Sequence, residues 1–546
     1  MGYDDILTKI GELGRYQWRI VFFVCVSTLV CPWHLLIQVF FILDTPHYCS
    51  TNSWQHTNCS QWDIDPEECA ALKKNVSIPV DGTGFAQCEK YNVSSLDFDP
   101  FLDTDGLEVI PCDEGWVYDE ANNGPSIISK FDLVCDRQGL PQIAQSLFFI
   151  GSLFGSVIYG MIADWIGRYP AWCICLLHQF IFGILVIFMP NFWSYTLVRT
   201  ILAPANYAAW IIPVIMATEY VGPNKRMVSG LFIEYFFASG FMIVTVLAWI
   251  IRDWVKLQLT VTLLQCYILL YLPFVPESPR WLVAENRIPE AAKIIKRIAK
   301  GNGTTPPPNF EEELREEYQQ KKMDANSQIR FIDIFTNRTM LLRTMNMSFA
   351  WFAHGLVYFG LTLGASNLGI NVYVSFFVSA FVEIPSYTVA MLCLFKFGRK
   401  NTTACFMIVG GIICMLVIFA PLGPWRATAA YIGKFAVTTS FVILFVYGAE
   451  IFPTPVRGFG VGFCSIMGRL GDIMSPIINL LRPVWPPFPL VLYGIVIIIS
   501  GIWVFTSLPE TRKKDLPETM EDAVNLGSKR QKIPSFDDKS GTTEKL

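Results

Sequence analysis

Twelve membrane-spanning helices in two six-helix halves, an all-α membrane fold with one large extracellular loop, is the architecture the sequence predicts. Three observations carry it. The 546 residues are 52% hydrophobic and 16% charged, against about 25% charged in a soluble domain. Apolar runs longer than the ~18 residues that mark a transmembrane helix recur along the chain, among them Ile20–Leu43 and Phe488–Leu508. Short motifs from the first half of the chain return in the second at one offset.

A polar start, 1–19, precedes the first apolar run at 20–43. That run is long and lacks a small-residue cleavage site after it, so it reads as a retained helix and not a removed signal. The polar stretch 44–140 holds 18 Asp/Glu against 5 Lys/Arg. Apolar segments near 142–163, 171–190, 194–217, 229–251 and 257–275 complete a first half, 20–275. A charged linker, 276–342, contains the acidic run Glu311–Glu317. Segments near 344–364, 372–396, 402–420, 427–451, 458–481 and 487–508 form a second half, 343–508, and 509–546 is a polar tail.

Loop charges orient these spans. Lys9, Arg15, Arg168, Lys225, Arg226, Arg399, Lys400, Arg457 and Arg512–Lys514 fall on one side, which the positive-inside rule makes cytoplasmic. Both termini and the linker are then inside, and the acidic loop is outside. The loop carries Cys49, Cys59, Cys69, Cys88, Cys112 and Cys135, an even number that reads as three disulfides with the pairing open. Asn58, Asn75 and Asn92 each begin an Asn-x-Ser acceptor for N-glycosylation. No metal-ligand spacing stands out. The net charge of −4 is small, and no basic cluster points to nucleic acid.

The repeat is the most informative feature. Gly167-Arg168 returns as Gly398-Arg399, Glu219 as Glu450 and Arg226 as Arg457, each 231 residues later. Pro276-Glu277-Ser278 returns as Pro509-Glu510-Thr511, 233 residues later. Two parallel six-helix halves are the plan of the major facilitator transporters, whose substrate site lies at the midplane between them. Gly160-x-x-x-Asp164-x-x-Gly167-Arg168 resembles that superfamily's loop motif. Asp164, Arg168, Glu219, Arg226, Arg399, Glu450 and Arg457 are therefore expected to form switchable ion pairs that close the cytoplasmic side.

Within the superfamily the chain resembles solute carrier family 22. The Cys-rich loop, Pro276-Glu277-Ser278-Pro279-Arg280-Trp281-Leu282, Ala449-Glu450-Ile451-Phe452-Pro453-Thr454 and Leu508-Pro509-Glu510-Thr511 carry that likeness over nearly the whole chain. It implies transport of organic cations, carnitine-like zwitterions or organic anions. In the organic cation transporters helix 11 carries an aspartate that pairs with the substrate; here the matching residue is Arg469, with Asp472 three residues on. Asn206-Tyr207, Tyr358-Phe359-Gly360 and Gly433-Lys434-Phe435 resemble the carnitine branch, whereas Trp210 matches a substrate-contacting tryptophan of the cation transporters.

Arg469 lies mid-helix in an apolar segment, where a charge must face a cavity or a partner. Two readings stand: a fork for a substrate carboxylate, or a structural pair with Asp472 or Glu450. Lys434 suits coupling or structure. Trp210, Tyr207, Tyr358, Phe359, Tyr447 and Phe445 are candidates for an aromatic cage around a quaternary ammonium, while His178 and His354 read as core. No H-E-x-x-H, G-x-S-x-G or phosphate-binding glycine loop is present, so the sequence reads as a secondary transporter and not an enzyme. The expected partners are membrane lipid and a small organic cation or zwitterion, with an organic anion or sugar carrier as the alternative. No cofactor is expected, and coupling to sodium, to protons or to neither stays open.

Overall fold

In the lipid interior a backbone has no hydrogen-bond partner but itself, so each apolar run closes into a helix. The computed structural model describes residues 2–527 except 44, 51–64, 82–83, 94–98, 100–101, 103, 105, 121–123, 325–331 and 515. Among the described residues eleven helical segments are long and apolar enough to cross a membrane. They are spans 1 (Arg15–Phe41), 2 (Cys135–Ile166), 3 (Arg168–Phe188), 4 (Phe192–Glu219), 5 (Pro223–Ile250), 6 (Trp254–Phe274), 8 (Val372–Lys396), 9 (Lys400–Phe419), 10 (Pro424–Ile451), 11 (Thr454–Asn479) and 12 (Phe488–Ser507).

The twelfth, span 7 (Arg338–Leu363), is a continuous helix of 26 residues. It is more polar because Asn346, Ser348 and His354 are buried inside the bundle and need not meet lipid. His354 bonds the Ala350 carbonyl and the Ser440 hydroxyl, both at 2.7 Å. His178 likewise meets the Tyr159 hydroxyl at 2.7 Å. Both histidines are packing groups, as their apolar settings suggest.

Glycine decides how closely the helices approach. A Cβ on Gly471 would lie 2.2 Å from the Phe352 carbonyl oxygen, and one on Gly355 would lie 2.3 Å from that of Gly468. Spans 7 and 11 therefore touch backbone to backbone. The two halves meet along spans 5 and 8, where Leu231 and Ala238 pack with Tyr387, Ala390 and Leu394, and again at the end that carries the acidic loop. There Phe40 stacks on Tyr373 at 5.9 Å, Phe149 lies 4.7 Å from Phe359, and the Ser146 hydroxyl donates to the Ile473 carbonyl at 3.0 Å.

The loop itself is a small cross-linked layer. Strand His47–Cys49 pairs antiparallel with Trp116–Tyr118, and Glu89–Tyr91 with Val109–Pro111. Disulfides join Cys49 to Cys112 and Cys88 to Cys135. Cys69 is also disulfide-bonded; Cys59 and Asn58 lie outside the described residues. Asn75 is exposed and Asn92 half-buried.

At the opposite, basic end the charged linker is folded. Helices Pro279–Ala284, Ile288–Asn302 and Phe310–Asp324 pack with an N-terminal helix, Tyr3–Ile10. Ile288, Ala291, Ala292, Ile295, Ile298 and Ala299 recur at helical spacing and are all buried. They close over Tyr3, Ile6, Leu7 and Ile10.

Candidate functional site at the membrane midplane and its basic-end locks

The motifs that repeat in sequence meet in space at the basic end. Gly167 opens span 3 at φ +108°, and a Cβ there would lie 2.3 Å from the Glu277 carboxylate. Glu277 uses that room to accept the backbone N–H groups of Arg168 and Tyr169 at 3.0 and 3.2 Å, capping the helix. Burial raises the Glu277 carboxyl. The Arg168 guanidinium reaches Glu219 at 3.2 Å and Asp164 at 2.8 Å.

The second half does the same. Gly398 stands at φ +91° beside Glu510, which accepts from the N–H groups of Arg399 and Lys400 at 2.9 and 3.1 Å. The Arg399 guanidinium holds Glu450 at 2.8 Å. Each lock joins elements of its own half.

Two expected partners differ. Arg226 stands seven residues from Glu219, but the turn Pro223–Lys225 separates their helices, and Arg226 pairs instead with Asp4 of the N-terminal helix. Asp4 also holds Arg280. Arg457 donates to the Phe452 carbonyl and the Thr454 hydroxyl at 3.3 and 3.2 Å, not to Glu450. Burial pushes the Asp4 carboxyl up, but the hydrogen bonds and charges of Arg280 and Arg226 outweigh it and hold it below the usual carboxylate range.

A second set of charges lies halfway along the spans, where the halves face each other. Arg469 of span 11 pairs with Asp472 at 2.8 Å, and its guanidinium covers the ring of Tyr207, from span 4, at 4.3 Å. Lys434 of span 10 pairs with Glu383 of span 8 at 2.8 Å and donates to the Ser379 hydroxyl at 2.8 Å. Its ammonium lies 5.0 Å from the ring of Phe241, in span 5. Glu383 further accepts from the hydroxyls of Tyr358 and Tyr387, at 2.7 and 3.0 Å. Lys434 and Glu383 are fully buried, whereas Arg469 keeps a fifth of its side chain accessible. Both cations thus belong to the second half and touch aromatic rings of the first.

The chain matches the family model described as "Sugar (and other) transporter" over residues 137–523. It is 34% identical to the "Organic cation transporter protein" of Drosophila melanogaster, over 100% of this chain and 98% of that one. It is 31% identical to "Solute carrier family 22 member 3" of Rattus norvegicus, over 96% of both. The chain belongs to solute carrier family 22. It is a multi-pass membrane transporter of the major facilitator superfamily. Among solved structures, the inward-open xylose transporter XylE from E. coli matches with a TM-score of 0.59 at 15% identity, over 92% of this chain and 98% of that one. That likeness shows the fold alone.

Against this family frame the cage residues divide. Tyr207 and Trp210 lie together, 5.9 Å between centroids, and among the described residues the Trp210 indole N–H has no hydrogen-bond partner. The ring of Tyr358 lies 5.2 Å from the Lys434 ammonium. Phe359 packs on Phe149, and Phe445 on Trp351 at 5.5 Å. Tyr447 is a correction: it is fully buried, and its hydroxyl donates to the Pro509 carbonyl at the basic end of span 12, away from the midplane.

Two further acidic residues lie inside apolar runs, and spacing names no partner for either. Glu383 is 51 positions from Lys434 and on another helix, so spacing cannot pair them. Glu234 interrupts the apolar run of span 5 and is half-buried. Among the described residues its carboxylate has neither an ion pair nor a hydrogen bond. It shares the space of Cys31, which feels the charges of both Arg469 and Glu234.

Proposed function

We propose that this chain carries small organic cations across the plasma membrane by alternating access. The locks at the basic end would be cytoplasmic, with both termini, and the acidic loop outside. The carrying observation is that each interior cation facing the first half is already held by a carboxylate, Arg469 by Asp472 and Lys434 by Glu383. A substrate carboxylate would have to break one of these pairs in a low-dielectric site, where removing one partner of a buried pair costs about 3–5 kcal/mol. A cation meets no free positive charge there. It finds instead the rings of Trp210 and Tyr358, each worth roughly 0.5–2 kcal/mol to an ammonium. The arginine of span 11, which in isolation favours carboxylate substrates, is thus accounted for as a partner of Asp472. The work is carriage and not catalysis, and the related cation transporters point the same way.

Exchange of labelled tetraethylammonium in proteoliposomes tests the reading. Saturable exchange is expected in the wild type. Arg469→Ala, by releasing Asp472, should lower the apparent KM severalfold. No exchange by the wild type would overturn it.

A further inference from the structure

Glu234 is the interior carboxylate that the ion pairs leave over. At the midplane Arg469 and Asp472 cancel, and Lys434 and Glu383 cancel. Arg199, nearer the loop end of span 4, is enclosed by the rings of Phe148 and Tyr195 and donates to the His34 carbonyl. Among the described residues no cation forms an ion pair with Glu234; groups that act on it or that it acts on include Cys25 and Cys31 of span 1, Tyr358 of span 7, and Glu383 and Tyr387 of span 8. None of these is a cation. Glu383 is a like charge, and its own partner is Lys434. A carboxylate so placed is neutralised either by a cation that enters between the halves or by a proton.

We propose that Glu234 binds the positive charge of the substrate and a proton in alternation, making the carrier a proton–organic cation exchanger. The inference rests on the cation reading above. With the cavity open to one side, an incoming monovalent cation displaces the proton from the Glu234 carboxyl to water on that side. The cation then crosses paired with the carboxylate and leaves on the other side as a proton from water there replaces it. One positive charge moves each way, so the cycle is electroneutral. No other group in the cavity is required to titrate, because both neighbouring carboxylates are already held by Arg469 and Lys434.

The test uses the full chain in proteoliposomes, in sodium-free potassium buffer with valinomycin holding the membrane potential at zero. Labelled tetraethylammonium is supplied outside, and the lumen is about one pH unit more acidic. The expected result is accumulation inside, approaching about tenfold for one-for-one exchange. With no initial gradient, external tetraethylammonium should make the lumen alkaline, read by a trapped pH dye. Glu234→Gln should abolish both responses, and Glu234→Asp, which keeps the carboxyl, should retain the dye response.

Tetraethylammonium that equilibrates without accumulating, with a silent dye, overturns the exchange and leaves the cation reading standing. So does accumulation that needs sodium and not the pH gradient. Absence of any tetraethylammonium movement overturns the cation reading itself, and the exchange with it. The dye response of the wild type keeps the proposal open to refutation even where Glu234→Gln fails to fold.

Discussion

Lys434 and Glu383 show how a charge is kept inside a membrane protein. Both side chains are out of contact with solvent, and each would be costly there alone. Ser379, Tyr358 and Tyr387 supply the remaining hydrogen bonds, which makes the pair tolerable and directional. Removing one member leaves the other charge buried and unpaired. Glu383→Gln should therefore destabilise the detergent-solubilised protein by about 3–5 kcal/mol, seen as a lower unfolding temperature. Glu383→Gln with Lys434→Met should recover most of that loss. Equal unfolding temperatures for the wild type and Glu383→Gln would show that the pair does not hold the site. The sequence exposes such residues unevenly. Asp472 is legible as the neighbour of Arg469 because three residues place them on one helix face. Glu383 and Glu234 are not, since an isolated acid in an apolar run names no partner.

The N-terminal helix is an element whose role comes entirely from tertiary contacts. In sequence 1–19 is only a polar start, yet Ile6, Leu7 and Ile10 are buried against the folded linker. Asp4 ties the helix to Arg226 and Arg280 on two different elements. The Tyr3 hydroxyl donates to the Glu219 carbonyl at 3.0 Å, beside the lock of the first half. The Asp4 carboxyl is held below its ordinary range, so its contribution is complete above the unfolded-state pKa and is lost as pH falls through the folded one. Protection of 1–19 against limited proteolysis should thus be constant from neutral pH down to the carboxylate range and fall only below it. Asp4→Asn should show the unprotected pattern already at neutral pH. Protection in Asp4→Asn equal to the wild type would mean that apolar packing alone holds the helix. The spacing of Glu219 and Arg226 misleads for a related reason. Seven residues would stack two side chains on a continuous helix, but a turn intervenes, and their partners come from distant segments.

Across the whole molecule, the spans were legible because lipid imposes one rule on every backbone, and the repeat because each half builds the same lock. Span 7 is the informative exception, a crossing helix made polar by the interior it faces. Arg168 binds Glu219 and Arg399 binds Glu450 within separate halves, so neither pair ties one half to the other. What the repeat could not reveal is the charge balance between the halves, because the midplane charges have no charged counterparts 231 residues away in the other half. Arg469 alone points to carboxylates; Arg469 with Asp472, Lys434 with Glu383 and Glu234 together point to cations. Uptake of labelled tetraethylammonium, carnitine and a dicarboxylate by the same proteoliposomes measures that balance directly. Saturable uptake of tetraethylammonium at a far higher kcat/KM than the dicarboxylate is the result the charge balance predicts. Uptake of the dicarboxylate with none of tetraethylammonium would contradict it.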